Sequence, residues 1–232
     1  MLNGKTKLIA HYGYPTEGFK APLVYNPWFE FTGINAAVVP MGVKVDNFAD
    51  TIKVMRKFTN FHGALVTMPH KISTLELMDE LSPVARAAGA CNAILLKPDG
   101  SLLGDMFDGA GFVRGVLRKG FKLEGARVLV AGNGGVGSAI AASLADAGVG
   151  EMMLFDNNSA STHALAGRLA HYYPLLKIEA GNLDPEGFDL IVNATPLGMN
   201  PDDPLPFDMN RVSPQTFVGE VVMNQQMTPL LQ

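Results

Sequence analysis

A single cysteine, Cys91, stands among the 232 residues, so no internal disulfide can form. Its setting, Gly89-Ala90-Cys91-Asn92, offers no evident partner for a nucleophilic thiol, and a small buried side chain is expected there. Charge is sparse as well. Only 17% of residues are charged, with 18 basic against 22 acidic and a net charge of −4. No basic run or stripe occurs, which argues against a nucleic-acid partner. No apolar stretch reaches the ~20 residues that span a bilayer. No secretory pattern follows Met1. A cytoplasmic protein without a membrane partner is expected. The five histidines, His11, His62, His70, His163 and His171, lack short ligand spacing, so no metal site is expected. The absence of a G-x-x-x-x-G-K-[ST] segment excludes a P-loop phosphoryl transferase.

What is present is apolar: 47% of residues are hydrophobic, enough for one large or two small well-buried α/β domains. The most informative segment is Gly132-Asn133-Gly134-Gly135-Val136-Gly137. It follows an apolar run of strand length, Arg127 to Ala131, and leads into a small-residue helix from Ser138 to Leu144. In that context a G-x-G-x-x-G pattern reads as a dinucleotide-binding turn. Its first glycine allows the turn, its second lets backbone approach a pyrophosphate, and its third lets helix and strand pack closely. The helix N-terminus then offers free N–H groups and a partial positive charge to the phosphates.

The next strand, Met152 to Phe155, ends in Asp156. An acidic residue roughly 20 positions past the first glycine holds the adenosine ribose and repels a 2′-phosphate. Asn157, Asn158 and Ser159 follow, and the next arginine is Arg168. NAD is therefore favoured over NADP. Asp156 in a solvated Asp-Asn-Asn turn is the plainer alternative.

Two halves are expected, residues 1–107 and 108–232. In the first, strands are expected at Lys7–Ala10, Ala36–Pro40 and Gly63–Thr67, with an amphipathic helix over Val45–Lys57 carrying Phe48, Ile52 and Met55 on one face. Leu75 to Leu81 reads as helical and Ala85 to Gly89 as a short helical turn. Ala93–Leu96 and Ser101–Leu103 flank a Pro98-Asp99-Gly100 hairpin turn. In the second half, helices are expected over Gly111–Lys119 and Ser161–Tyr173, and strands at Lys177–Ala180, Asp189–Ala194 and Phe217–Val222. The almost wholly apolar character of Asp189–Ala194 fits a central parallel strand. Its end, Thr195-Pro196-Leu197, falls where ligands bind in such sheets.

These motifs together resemble the shikimate/quinate 5-dehydrogenase family along nearly the whole chain. The resemblance is carried by Gly13-Tyr14-Pro15, Val66-Thr67-Met68-Pro69-His70-Lys71, Ala88-Gly89-Ala90-Cys91-Asn92-Ala93, Gly104-Asp105-Met106-Phe107-Asp108-Gly109, Asn193-Ala194-Thr195-Pro196-Leu197-Gly198-Met199 and Thr228-Pro229-Leu230-Leu231. It implies an α/β protein with an N-terminal substrate domain and a C-terminal Rossmann-type domain. The implied activity is reversible, nicotinamide-dependent oxidation of a ring hydroxyl on a cyclohexane or cyclohexene carboxylate, in a monomer or homodimer. By the same resemblance, Lys71 and Asp108 are the catalytic pair, and Asn92 and Thr67 contact substrate. The cofactor is held by Gly132, Asn133, Gly134, Gly135, Val136, Gly137, Asp156, Asn157, Thr195, Pro196, Leu197 and Val221. A lysine beside a carboxylate suits the chemistry, because the departing hydroxyl proton needs a positioned acid/base group. Which of the two takes the proton stays open, as does a role for Lys71 as an electrostatic clamp on the alkoxide. His70, beside Lys71, is read as structural or exposed.

The chain also departs from the family. Phe19 and Ala21 stand where two serines hold the substrate carboxylate, and Met223 stands where a substrate-facing tyrosine is frequent. Leu65 and Met106-Phe107 replace polar positions. A more apolar pocket is expected, with chemistry retained on an altered substrate or with poor turnover of shikimate. Family chains continue past Leu231 into helices that return to the first domain, and these are expected to be absent here. Two other readings are a nucleotide-binding module without turnover and a different two-domain dehydrogenase, of the methylenetetrahydrofolate or amino-acid type.

Overall fold

In the computed structural model, residues 2–223 and 225–232 are described. They form two compact α/β units. One runs through Arg86 and adds Ala90–Met106; the other takes Ala87–Gly89 and Phe107–Gln232.

The first unit is built on a six-stranded mixed sheet. Its strands are β1 (Lys7–Gly13), β2 (Ala36–Gly42), β3 (Phe61–Val66), β4 (Glu80–Leu81), β5 (Ala93–Leu96) and β6 (Leu102–Asp105), in the order β2-β1-β3-β5-β6-β4. The β2-β1-β3 part is parallel, whereas β5 runs antiparallel to both β3 and β6 through the expected hairpin. Helix α2 (Val45–Met55) buries Phe48 and Ile52 against Ala10, Tyr12, Ala64, Val66 and Ile94, with Met55 packed at the margin. Burying two such side chains stabilises by about 1.5–3 kcal/mol each.

Two elements differ from expectation. The segment Ala21–Thr32 forms a helix, α1, that its prolines conceal. Pro22 lies in the first turn, where its missing N–H is harmless. Pro27 lies inside the helix, where a proline normally breaks it. The helix is held by Asn26, whose amide brackets the edge strand: Nδ2 donates to Val38 O at 3.0 Å and Oδ1 accepts from Val38 N at 2.8 Å. The helix expected over Leu75–Leu81 is instead a single 3₁₀ turn, Leu75–Leu77, followed by β4. Sheet bonding outweighs helical propensity there. Asp79 N donates to Leu102 O at 3.0 Å, and its carboxylate accepts from Leu102 N at 2.7 Å.

A short helix, α3 (Pro83–Ala88), leads toward the second unit, whose five strands are all parallel. They are β7 (Arg127–Ala131), β8 (Glu151–Phe155), β9 (Lys177–Ala180), β10 (Leu190–Asn193) and β11 (Phe217–Glu220), in the order β11-β10-β7-β8-β9. The apolar runs behave as central strands should: Val128–Ala131 and Leu190–Val192 are wholly buried. Helices α4 (Asp108–Arg118), α5 (Gly135–Asp146) and α6 (Ser159–Tyr172) complete the unit. α5 is buried from Gly137 through Ala145, so its small residues let neighbours approach from every side. Among the described residues, no helix is long and apolar enough to cross a membrane.

Candidate active site

The second sheet reverses its strand order between β7 and β10, and such a switch point opens a crevice at the carboxyl ends of the strands. Both motif loops lie there. Gly132 has φ +92°, and a Cβ at that position would lie 2.6 Å from the Ala194 carbonyl. A Cβ on Gly137 would lie 1.8 Å from Gly132 O. These two glycines let the turn fold against the end of β10. Gly134 is different: a Cβ there would meet nothing within 4 Å. It also serves as the N-cap of α5 without a side-chain capping bond. Backbone is thus left open beside free helix N–H groups, as a pyrophosphate requires. The residues present fit a dinucleotide.

Asp156, at the end of β8, braces the same turn. Its Oδ2 accepts from Asn133 N at 2.7 Å and its Oδ1 from Asn158 N at 2.8 Å. The Asn133 side chain points into the unit and donates to Thr162 Oγ1 at 2.8 Å, so only its backbone faces the turn. Asn157 is exposed, and Gly135 and Val136 begin α5 half-buried. Arg168 is committed elsewhere, donating to Ala87 O at 3.2 Å and Ala88 O at 3.0 Å.

Across the crevice, Thr195, Pro196 and Leu197 are held by a network that the sequence did not reveal. Asn193 is fully buried. Its Oδ1 accepts from Thr195 N at 3.1 Å and from Thr195 Oγ1 at 2.6 Å, and its Nδ2 donates to Leu197 O at 2.9 Å and to Glu220. Glu220 also accepts from Val221 N, Val222 N and Thr228 Oγ1. Asp203 fastens the far side through Gly198 N and Asn200 N. The Asn200 N–H, then the Asn200 amide, hold its carboxyl below the usual carboxylate range. The available signal was an asparagine closing an otherwise apolar strand. Val221 is half-buried, and Met223, 79% exposed, follows it.

In the first unit the expected residues gather at the ends of β1 and β3. Thr67 N donates to Tyr12 O at 2.8 Å, and Tyr14 N to Met68 O at 3.0 Å. His70 N donates to Thr67 O at 3.0 Å, closing the turn that delivers Lys71, and Lys71 O accepts from Cys91 N at 2.8 Å. Asn92 continues the lacing: its N–H reaches Asp105 O at 3.0 Å, and its carbonyl accepts from Val66 N at 2.8 Å. Thr67, Lys71 and Asn92 are all half-buried. Phe19 packs on His11 with ring centroids 4.1 Å apart and the planes tilted by 31°. Its ring tip and the Thr67 methyl fill the space above Gly13, where a Cβ would meet them at 2.7 and 2.4 Å. Burial holds the His11 imidazole below its ordinary value. Ala21 begins α1. His70 is completely buried, which settles its exposure. In the second unit, Asp108 begins α4. A cavity of about 650 Å³ between α1, β2 and the N-terminal segment contains none of these residues.

Fold and crevice define a two-unit α/β protein with a Rossmann-type dinucleotide-binding unit. Residues 12–94 match the shikimate dehydrogenase substrate binding domain, and residues 116–170 match the ThiF family. The shikimate dehydrogenase (NADP(+)) of Rubrobacter xylanophilus is 34% identical over 228 residues, covering 95% of this chain and 78% of that one. That of Acidiphilium cryptum is 34% identical over 233 residues, covering 100% and 82%. The structure of shikimate 5-dehydrogenase from Listeria monocytogenes, in complex with shikimate and NAD, superposes with a TM-score of 0.90 at 26% identity, covering 99% of this chain and 83% of that one. Quinate dehydrogenase from Corynebacterium glutamicum in complex with NAD gives 0.83 at 25% identity, covering 97% and 83%. The chain belongs to the shikimate dehydrogenase family and is an oxidoreductase acting on CH–OH.

Proposed function

We propose that this protein reversibly oxidises a ring hydroxyl of a shikimate- or quinate-like cyclohexane or cyclohexene carboxylate, with NAD preferred over NADP. The carrying observation is the glycine turn at the switch point, with Gly134 open beside the uncapped start of α5. When bound, the nicotinamide accepts the hydride. The chain's own residues do the rest. The turn at 132–137 and the braced loop at 195–197 hold the dinucleotide. Lys71 and Asp108 serve the hydroxyl proton, and Thr67 and Asn92 orient the ring.

The cofactor preference rests on Asp156. Its carboxylate is pinned beside the glycine turn by two backbone N–H groups, so it cannot swing away from a 2′-phosphate. Like charges brought together there oppose binding. Arg168, the next arginine along the chain, is occupied by two carbonyls. The Rubrobacter and Acidiphilium relatives carry NADP(+) in their names, whereas the Listeria and Corynebacterium structures are complexes with NAD, which makes this preference the sharpest part of the reading.

The test is a steady-state assay of shikimate and quinate with NAD and NADP, with Lys71→Ala as control. Turnover with NAD that collapses in the variant supports the whole reading. Preference for NADP overturns the Asp156 argument and leaves the reaction class intact. NADH binding without turnover of either acid refutes the substrate and favours a binding protein or a dehydrogenase for another small hydroxy compound. Phe19 and Ala21 at the carboxylate positions would be the reason.

A further inference from the structure

We infer that His70 is the positioning residue for Lys71: its buried imidazole anchors the turn that aims the lysine. The inference rests on the reading of Lys71 as the acid/base group. His70 immediately precedes Lys71, yet its side chain is 0% exposed. The ring stacks flat on Phe48 of α2, with centroids 4.0 Å apart and an interplanar angle of 7°. Its Nε2 lies 2.7 Å from Val43 O. A carbonyl can only accept, so Nε2 carries the proton and donates it. Val43 joins β2 to α2, and its own N–H donates to Gly13 O at 3.0 Å. One imidazole therefore couples the Lys71 turn to the β2–α2 connection and, through it, to the end of β1.

The backbone around His70 is equally engaged. Its carbonyl accepts from Thr74 N at 2.9 Å, Thr74 Oγ1 at 2.7 Å and Ser73 Oγ at 3.2 Å. Lys71 is thus flanked by the His70 anchor and by the Cys91 N–H on its own carbonyl. Packing by itself does not call for an imidazole here. A phenylalanine would stack on Phe48 as well, whereas the imidazole buries Nδ1 with no hydrogen-bond partner among the described residues. What the histidine adds is the bond to Val43. His70 does not act on substrate itself, since one nitrogen is spent on that bond and the other is enclosed. Its contribution is geometric, and a misplacement of about 1 Å costs on the order of 10²-fold in rate.

The test uses the full chain, with the hydroxy acid that it turns over and with NADH binding followed by fluorescence. His70→Phe keeps the stack and loses the bond. His70→Gln restores a donor of similar reach. The expected result is a kcat about 10–100-fold lower for H70F. KM and NADH affinity stay within about threefold, and H70Q recovers most of the loss. In a Lys71→Ala background, H70F should have no further effect, because the group it aims is gone. If H70F does not fold, H70N, too short to reach Val43, carries the same expectations. Wild-type kcat in H70F alongside a collapsed K71A overturns this proposal alone. So does a loss in H70F that recurs in full on K71A, which would mark general damage. Wild-type activity in K71A overturns the reading of Lys71, and the proposal with it.

Discussion

Gly109 sits at the start of α4, immediately after Asp108, and two physical effects oppose each other there. Helix propensity favours alanine over glycine by up to ~1 kcal/mol. Packing opposes it, because a Cβ on Gly109 would lie 2.0 Å from Ala139 O, 2.4 Å from Ser143 Oγ and 2.5 Å from Ala139 C. Ordinary C···O contacts lie near ~3.3 Å or beyond, so α4 must move off α5 by about 1 Å. The atoms struck are mostly backbone, which cannot rotate away. Overpacking of this kind costs about 1–3 kcal/mol. Set against the gain in helix propensity, this leaves a net loss of up to about 2 kcal/mol, so Gly109→Ala should lower the thermal midpoint by up to about 8 °C. On the same helix, Gly111 has nothing within 4 Å of its Cβ position. Gly111→Ala should gain up to ~1 kcal/mol and raise the midpoint by about 2–4 °C. Calorimetry or circular-dichroism melts of both variants decide the matter. A G109A protein that melts at or above wild type, or a G111A protein that falls as far as G109A, would refute the packing argument. On the proposed role of Asp108, G109A should also lose turnover in the protein that remains folded, whereas G111A should not.

Cys91 is buried, and burial pushes its thiol up to about 11; iodoacetamide at pH 8 should leave it unmodified in the native protein and label it in urea, and rapid native labelling would contradict its placement. Burial lowers the His11 imidazole from 6.5. As pH falls, the unfolded chain binds this proton first, so stability is full above about 6.5 and is lost as pH drops through that value toward the lowered one. Urea midpoints at pH 7.5 and 5.5 should diverge more for wild type than for His11→Asn, and equal slopes would exclude His11 as the cause. Replacing Phe19 and Ala21 together by serine should improve shikimate kcat/KM by about tenfold or more, since a hydrogen bond to a charged group contributes roughly 1.5–3 kcal/mol; unchanged kinetics would remove these positions from the substrate site. Asp156→Ala combined with Asn157→Arg should shift the NAD to NADP ratio of kcat/KM toward NADP by at least about tenfold, and no shift would remove Asp156 from cofactor choice.

By itself the sequence determined those features whose causes lie within a few residues. The runs at Val128–Ala131 and Leu190–Val192 had to be central strands, because a segment apolar on both faces is stable only when covered on both. The glycines at 132, 134 and 137 declared a dinucleotide turn, since a Cβ at 132 or 137 would strike backbone and the bare backbone at 134 stays open to a phosphate. Phe48 and Ile52 marked the buried face of α2 through helical spacing. Tertiary structure decided the rest. α1 exists despite Pro27 because Asn26 pairs with Val38, twelve residues away. Residues 80–81 became a strand because β6 offered hydrogen bonds that a lone helical turn could not match. The loop after β10 is held by Glu220, 27 residues beyond Asn193. His70 is an anchor and not a surface residue because Val43 and Phe48 close over it. Local spacing encodes periodicity and backbone freedom, whereas a hydrogen-bond partner distant in the chain is fixed only when the strands assemble.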